Sequence, residues 1–504
     1  MLREQVTAIL VLAFAAVAAA GERAAVRDDL SADDLARVLA VTAPAIKFEA
    51  AEPFEAMAGG AGTSRASVGR DSFSHFSETL SFEEEERFKL GNALFGKLWV
   101  EAPSSTQASD GLGPLFNARA CKLCHPKDGR GHPPSGPEDD RISMFLRLSV
   151  PARTAGEFAM LSAHQASVIG DPVYGTQLQD FAVPGLTAEG QMAIGYTEIT
   201  VVLADATGVS LRAPTYAFAD PNYGPPDPEL IISPRVGAQM IGLGLLEAVP
   251  EADILARADP DDADGDGISG KTNRALDPVS GELVLGRFGW KAGVASIRAQ
   301  VAGAFAGDIG ISTPLANSPH GDCTPAQAAC LTLPTGEQER LGVSEAPDPI
   351  LDLVTFYAQN LAVPARRDVG EPEVLHGKRV FNEAGCASCH APKFVTSRNA
   401  ENPGQRFQLI WPYTDLLLHD MGEGLADHRP EGDADGYEWR TAPLWGIGLT
   451  GAVSEHTYFL HDGRARSLLE AILWHGGEAQ AGRDRVARLD GADRAALIAF
   501  LESL

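Results

Sequence analysis

Two five-residue stretches carry the residue types for redox chemistry: Cys121-Lys-Leu-Cys124-His125 and Cys386-Ala-Ser-Cys389-His390. In each, two thiols lie one helical turn apart and can reach the two vinyl groups of a porphyrin as thioethers. The histidine that follows then lies under the iron as an axial ligand. A single such stretch could be a zinc knuckle or a redox dithiol. Paired zinc motifs, however, sit within about 20 residues of each other, and these are more than half the chain apart. Two covalent haem c groups are therefore expected, held by Cys121, Cys124, His125, Cys386, Cys389 and His390. The other two cysteines, Cys323 and Cys330, stand in a short polar stretch and read as a local disulfide.

What each iron does depends on its sixth position. Ser467-x-x-Glu470 reads as a capping box, which puts Leu468, Ala471, Ile472 and His475 on one helical face. An imidazole on that apolar stripe is expected to be the second ligand of the C-terminal haem, against a helix-end histidine bonded to nearby backbone. His419, Met421, His456 and His461 are its competitors. The N-terminal haem has no such clear candidate, since His132 stands in a Gly- and Pro-rich turn and His164 reads as a surface residue. A further site is suggested by Asp262-Ala-Asp264-Gly-Asp266-Gly-Ile268, where oxygen ligands alternate around turn glycines as in a calcium loop. Asp262, Asp264, Asp266 and the Ile268 carbonyl are the expected ligands, although Asn273 stands where the twelfth-position Glu would be; the plainer reading is a solvated acidic turn.

The elements that must hold these groups form a diverged repeat. Gly91-Asn-Ala-Leu94-Phe95 precedes the first motif and Gly377-Lys-Arg-Val380-Phe381 the second, and each looks like the first helix of a cytochrome c domain. Closing helices are expected over 349–361 and 493–504 from their apolar spacing, with a Pro-rich charged linker at 363–372 as the boundary. The Gly- and Pro-rich stretch from 126 to 344 reads as elaborated loops with short strands such as 198–203. The expected fold is mainly α, with two cytochrome c-like domains carrying long loop and short β insertions. Residues 1–20 carry the charged start, apolar run and small-residue site of a secretory signal, the N-terminal haem domain runs over 21–365 and the C-terminal one over 366–504. The net charge of −27 argues against non-specific nucleic-acid binding.

With Leu115-Phe-Asn-Ala-Arg-Ala-Cys121, Gly242-Leu-Gly-Leu-Leu-Glu247, Leu361-Ala-Val-Pro-Ala-Arg-Arg-Asp368, Pro412-Tyr-Thr-Asp-Leu-Leu-Leu-His-Asp-Met-Gly422 and Leu460-His461-Asp-Gly-Arg, the chain resembles the bacterial di-haem cytochrome c peroxidase and MauG superfamily. Within it, the di-haem oxidoreductase branch, also labelled thiol oxidoreductase-like, is the nearer match. The resemblance implies two haems facing a domain interface and peroxide bound at the N-terminal one, beside a distal Gln and Glu. Gln179 followed by Glu189 echoes that spacing, and Glu247 is the rival; either would be an acid/base group. Relatives place Met or Tyr where this chain has His475, and His461 resembles their second histidine, bonded to a propionate or another residue. The implied function is an exported, periplasmic peroxidase-type oxidoreductase. A small redox protein would be its donor, with electrons passing from the C-terminal to the N-terminal haem. A non-enzymatic electron carrier and a MauG-like protein-modifying oxidase are the alternatives.

Overall fold

The computed structural model describes residues 27–504 apart from 137, 138, 140, 141 and 341. The expected signal segment, 1–20, lies outside the described residues. Helix α1 (Phe82–Phe95) begins at Ser81, whose hydroxyl accepts from Glu84 N–H while the Glu84 carboxylate accepts from Ser81 N–H. Three glutamates in its first turn favour the positive end of the helix dipole. It packs on α2 (Asp348–Gln359). The approach is close because Gly91 lacks a side chain: a Cβ there would collide with the Leu353 carbonyl. The second half repeats the device. Helix α3 (Pro372–Glu383) packs on α5 (Gly491–Ser503), and a Cβ on Gly377 would collide with the Ala496 carbonyl. Between them in sequence, α4 (Leu468–Trp474) is capped by Ser467.

The fold is not mainly α: 29% of it is helix and 17% strand, so that expectation is corrected. The 52 glycines and 33 prolines interrupt helical periodicity over most of the chain. Backbone groups there pair instead in seven two-stranded sheets among the described residues. Strands β1 (Met144–Ser149) and β4 (Ile231–Val236) run antiparallel and bury Leu146, Leu148 and Val236. Strands β2 (Gln191–Val202) and β3 (Gly208–Ala219) form a hairpin in full register from Gln191↔Ala219 to Val202↔Gly208. Strands β5 (Leu418–Asp420) and β6 (Glu438–Arg440) pair across the cavity wall described below.

One hydrophobic cluster runs from Ala58 through both helix pairs to Leu504. Polar contacts tie the same regions together. Glu55 is buried and pairs with Arg366 and with Lys378 (2.9 Å), while Glu52 pairs with Lys378 (2.8 Å) and Lys393. Arg366, in the stretch read as a linker, is also buried and donates to the Ser503 hydroxyl. Cys323 and Cys330 are joined as a disulfide. Among the described residues no helix is long and apolar enough to cross a membrane.

Candidate haem sites

Both Cys-x-x-Cys-His stretches open on one cavity of about 780 Å³, lined by Cys121, Cys124, His125, Cys386, Cys389 and His390 together. Burial pushes the Cys121 and Cys386 thiols up to about 12. Thiols held protonated in this way are not those of a reactive dithiol. The first stretch forms a single helical turn, Cys121–Cys124, and the second a 3-10 turn, Cys386–Ser388.

The imidazoles are set for ligation by what their other nitrogens do. Nδ1 of His125 donates to the Ala238 carbonyl (2.7 Å), and Nδ1 of His390 to the Tyr413 carbonyl (2.9 Å). A carbonyl only accepts, so each Nδ1 carries the proton and each Nε2 keeps its lone pair. Burial holds both rings below the usual histidine value, His390 at about 4, so they stay neutral as a ligand must. Helix α4 ends at Trp474, leaving His475 as its cap residue. Nδ1 of His475 donates to the Ala471 carbonyl (2.7 Å), again freeing Nε2. His475 lines the cavity with Leu468, Ala471 and Ile472 and lies close enough to His390 to depress that ring's pKa. The Glu470 carboxylate does not close the expected capping box; it accepts from Arg466 N–H (3.0 Å) instead.

The chain carries two ligand-ready histidines on cysteine pairs and one cavity between them. Residues 54–504 match the family model described as "Di-haem oxidoreductase, putative peroxidase". The chain belongs to this di-haem family. None of the curated proteins matches it. The family description implies two haems, and the residues present fit them: two neutral imidazoles with free Nε2 atoms, four thiols without a disulfide and one shared cavity.

The other expected residues of this di-haem oxidoreductase fall in different places. Glu189 and Glu247 are not among the cavity-lining residues. Glu189 is buried and accepts from Gln179 N–H (2.6 Å) and from the Gln327 side-chain amide; desolvation pushes its pKa up to about 8. Glu247 accepts from Ile297 N–H (2.8 Å) and Gln359 Nε2 (2.7 Å). His419 lines the cavity, but its two nitrogens face Glu478 (2.6 Å) and Asp415 (2.8 Å). Burial opposes its charge, yet these carboxylates hold its pKa up at about 12, so it has no lone pair to offer. Met421 and His461 line the cavity, whereas His132, His164 and His456 do not. His461 stacks on Trp439 at 3.8 Å and 11°.

In the acidic loop, oxygens of Asp259, Asp262 and Asp264 lie within 4.8 Å of one another. Asp266 is turned to Ile268 N–H (2.8 Å), and Asn273 is buried, bridging the Lys291 and Glu431 carbonyls. Sequence reasoning missed Asp308. This carboxylate lines the cavity, and its charge acts on both Cys121 and His125. It stands on a π-helical turn, Phe305–Ile309, a distortion often found at functional sites. One oxygen accepts from Gln177 Nε2 (2.9 Å). No spacing signal ties Asp308 to the first motif.

Proposed function

We propose that this chain is an exported di-haem c-type oxidoreductase of peroxidase type, with a closed C-terminal site and an open N-terminal one. Cys121, Cys124, Cys386 and Cys389 would hold two haems, which would supply one-electron storage and a peroxide-reactive iron; the C-terminal site would take in electrons and the N-terminal site would receive them. The observation that carries the reading is the asymmetry within one cavity. His475 lines the cavity near His390, while Asp308 is the cavity-lining carboxylate whose charge acts on Cys121 and His125.

The residues divide the work accordingly. His125 and His390 would each offer Nε2 to an iron, and His475 would offer a second Nε2 at the C-terminal site. Asp308, held by Gln177, is the cavity carboxylate near the first motif that would serve as its acid/base group, moving a proton at its carboxyl oxygens. The apolar walls, Phe95, Leu243, Leu246 and Val354 among them, exclude water. Asp259, Asp262 and Asp264 would bind calcium on the loop beyond. Export would place the protein in the periplasm, where a small redox protein would be the donor.

Electron paramagnetic resonance of the resting protein tests this reading. One low-spin and one high-spin haem are expected. Two low-spin haems that bind no cyanide would instead favour the electron-carrier reading.

A further inference from the structure

Arg130 is a cation without an anion. Its side chain is buried, 8% exposed for the whole residue, and lines the shared cavity. One terminal nitrogen donates to the Leu460 carbonyl (2.5 Å), and the guanidinium lies 5.5 Å from the centre of the Trp290 ring. Its Nε is buried with no hydrogen-bond partner. Among the described residues no carboxylate forms a salt bridge with it. Asp462 is the carboxylate whose charge it feels, and that group is already committed to Arg464 (2.8 Å) and the Tyr216 hydroxyl (2.8 Å).

A buried guanidinium with only carbonyl and ring contacts is costly, because neither replaces its lost hydration as an anion would. The backbone at Arg130 is tied to the C-terminal half. Its N–H donates to the Ser454 hydroxyl (3.0 Å), and its carbonyl accepts from His456 Nε2 (3.1 Å). The surroundings call for anions as well. Eight arginines but four carboxylates line the cavity, an excess of four cations in a chain whose net charge is −27. Two haems carry four propionates. Planar guanidinium matches carboxylate better than any other cationic side chain.

We propose that Arg130 binds a haem propionate at the junction of the two sites, anchoring the porphyrin edge and raising that haem's potential. This rests on the di-haem reading above. A cation beside a haem favours the ferrous state, which carries one positive charge fewer, and the Leu460 contact links this anchor to the C-terminal half. Desolvation, which holds the Arg130 pKa down at about 10, is the cost that the propionate would offset.

The test uses the full-length exported protein and its Arg130→Gln and Arg130→Lys variants. Haem content per chain is measured first, by intact mass and absorbance; wild type lacking two haems would defeat the di-haem reading itself. With two haems retained, redox titration of Arg130→Gln should show the midpoint of one haem lowered, with Arg130→Lys restoring part of the shift. Unmoved midpoints would overturn the proposal. Should Arg130→Gln not fold, infrared difference spectra of the Lys variant and wild type, both with carboxyl-labelled haem, replace it. A propionate band that shifts between them supports the contact, and an identical band overturns it. A free anion is the other source of the same chemistry. Added formate should leave the wild-type midpoints unchanged, and a saturable shift would assign Arg130 to a diffusible anion instead.

Discussion

At the first motif the Phe95 ring lies 6.2 Å from His125, and at the second Phe381 lies 6.4 Å from His390. Each phenylalanine lies in the last turn of a helix whose glycine lets a closing helix approach, and each histidine donates a hydrogen bond from Nδ1 to a carbonyl. Up to this level the two halves are copies. They part on the cavity side: the C-terminal half brings an imidazole, His475, and the N-terminal half brings a carboxylate, Asp308. Imidazole closes an iron, whereas a carboxylate held by an amide is a group for moving protons. The two motifs thus share their helix packing and imidazole orientation and differ in the cavity side chain beside them.

The largest effect is expected at the cysteines. Cys386→Ala with Cys389→Ala should remove one of two haems and with it the low-spin signal, leaving the high-spin one; the Cys121/Cys124 double variant should do the reverse. Intact mass and paramagnetic resonance check both, and loss of the same signal in each would dissolve the assignment. Next comes His475→Ala, expected to convert the C-terminal haem to high spin with carbon monoxide binding and unchanged haem content. His475→Met should restore a six-coordinate iron at higher potential, because thioether favours the ferrous state.

The asymmetry was partly legible beforehand. Cysteine spacing, the paired helices and the stripe ending at His475 follow from short-range periodicity, and the helices over 348–359 and 491–503 lie within two residues of expectation. Asp308 and Arg130 were not legible as partners of the cavity. Asp308 is brought to the first motif through long-range contacts, its carbonyl accepting from Asn117 and Ala118 N–H. Glu189 shows the converse. A spacing echo singled it out, but its carboxylate is turned to Gln179 and Gln327. The β content was underestimated because Gly- and Pro-rich sequence was read as loop, while the chain uses short paired ladders there.

Two smaller effects sharpen the contrast. Asp308→Asn should lower peroxide turnover by about 10²- to 10⁴-fold, the usual worth of a positioned acid/base group, with both spin signals retained. Stopped-flow oxidation of the reduced protein by peroxide measures it, and wild-type rates would return the role to another residue. Glu189 should matter to stability instead. Its folded pKa of about 8 lies above the ordinary glutamate value, so the folded state holds a proton that the unfolded chain has released between those values. Stability should therefore fall as pH rises through that window, by at most a few kcal/mol. Glu189→Gln should flatten this slope in denaturant titrations, and an unchanged slope would locate the titrating group elsewhere.

The ion pairs of Glu52 and Glu55 have a consequence for the order in which the molecule can be completed. These glutamates meet Arg366, Lys378 and Lys393 across sequence separations of 311 to 341 residues. Synthesis delivers the glutamates first and their cations much later, so the early segment has no native partner while most of the chain is being made. Contacts this distant also carry a large closure entropy. The C-terminal half, whose α3 bears Lys378, is thus finished by residues that left the ribosome first. Cutting the chain near residue 365 would leave a cytochrome-like fragment in which Lys378 and Lys393 lack the carboxylates that pair with them.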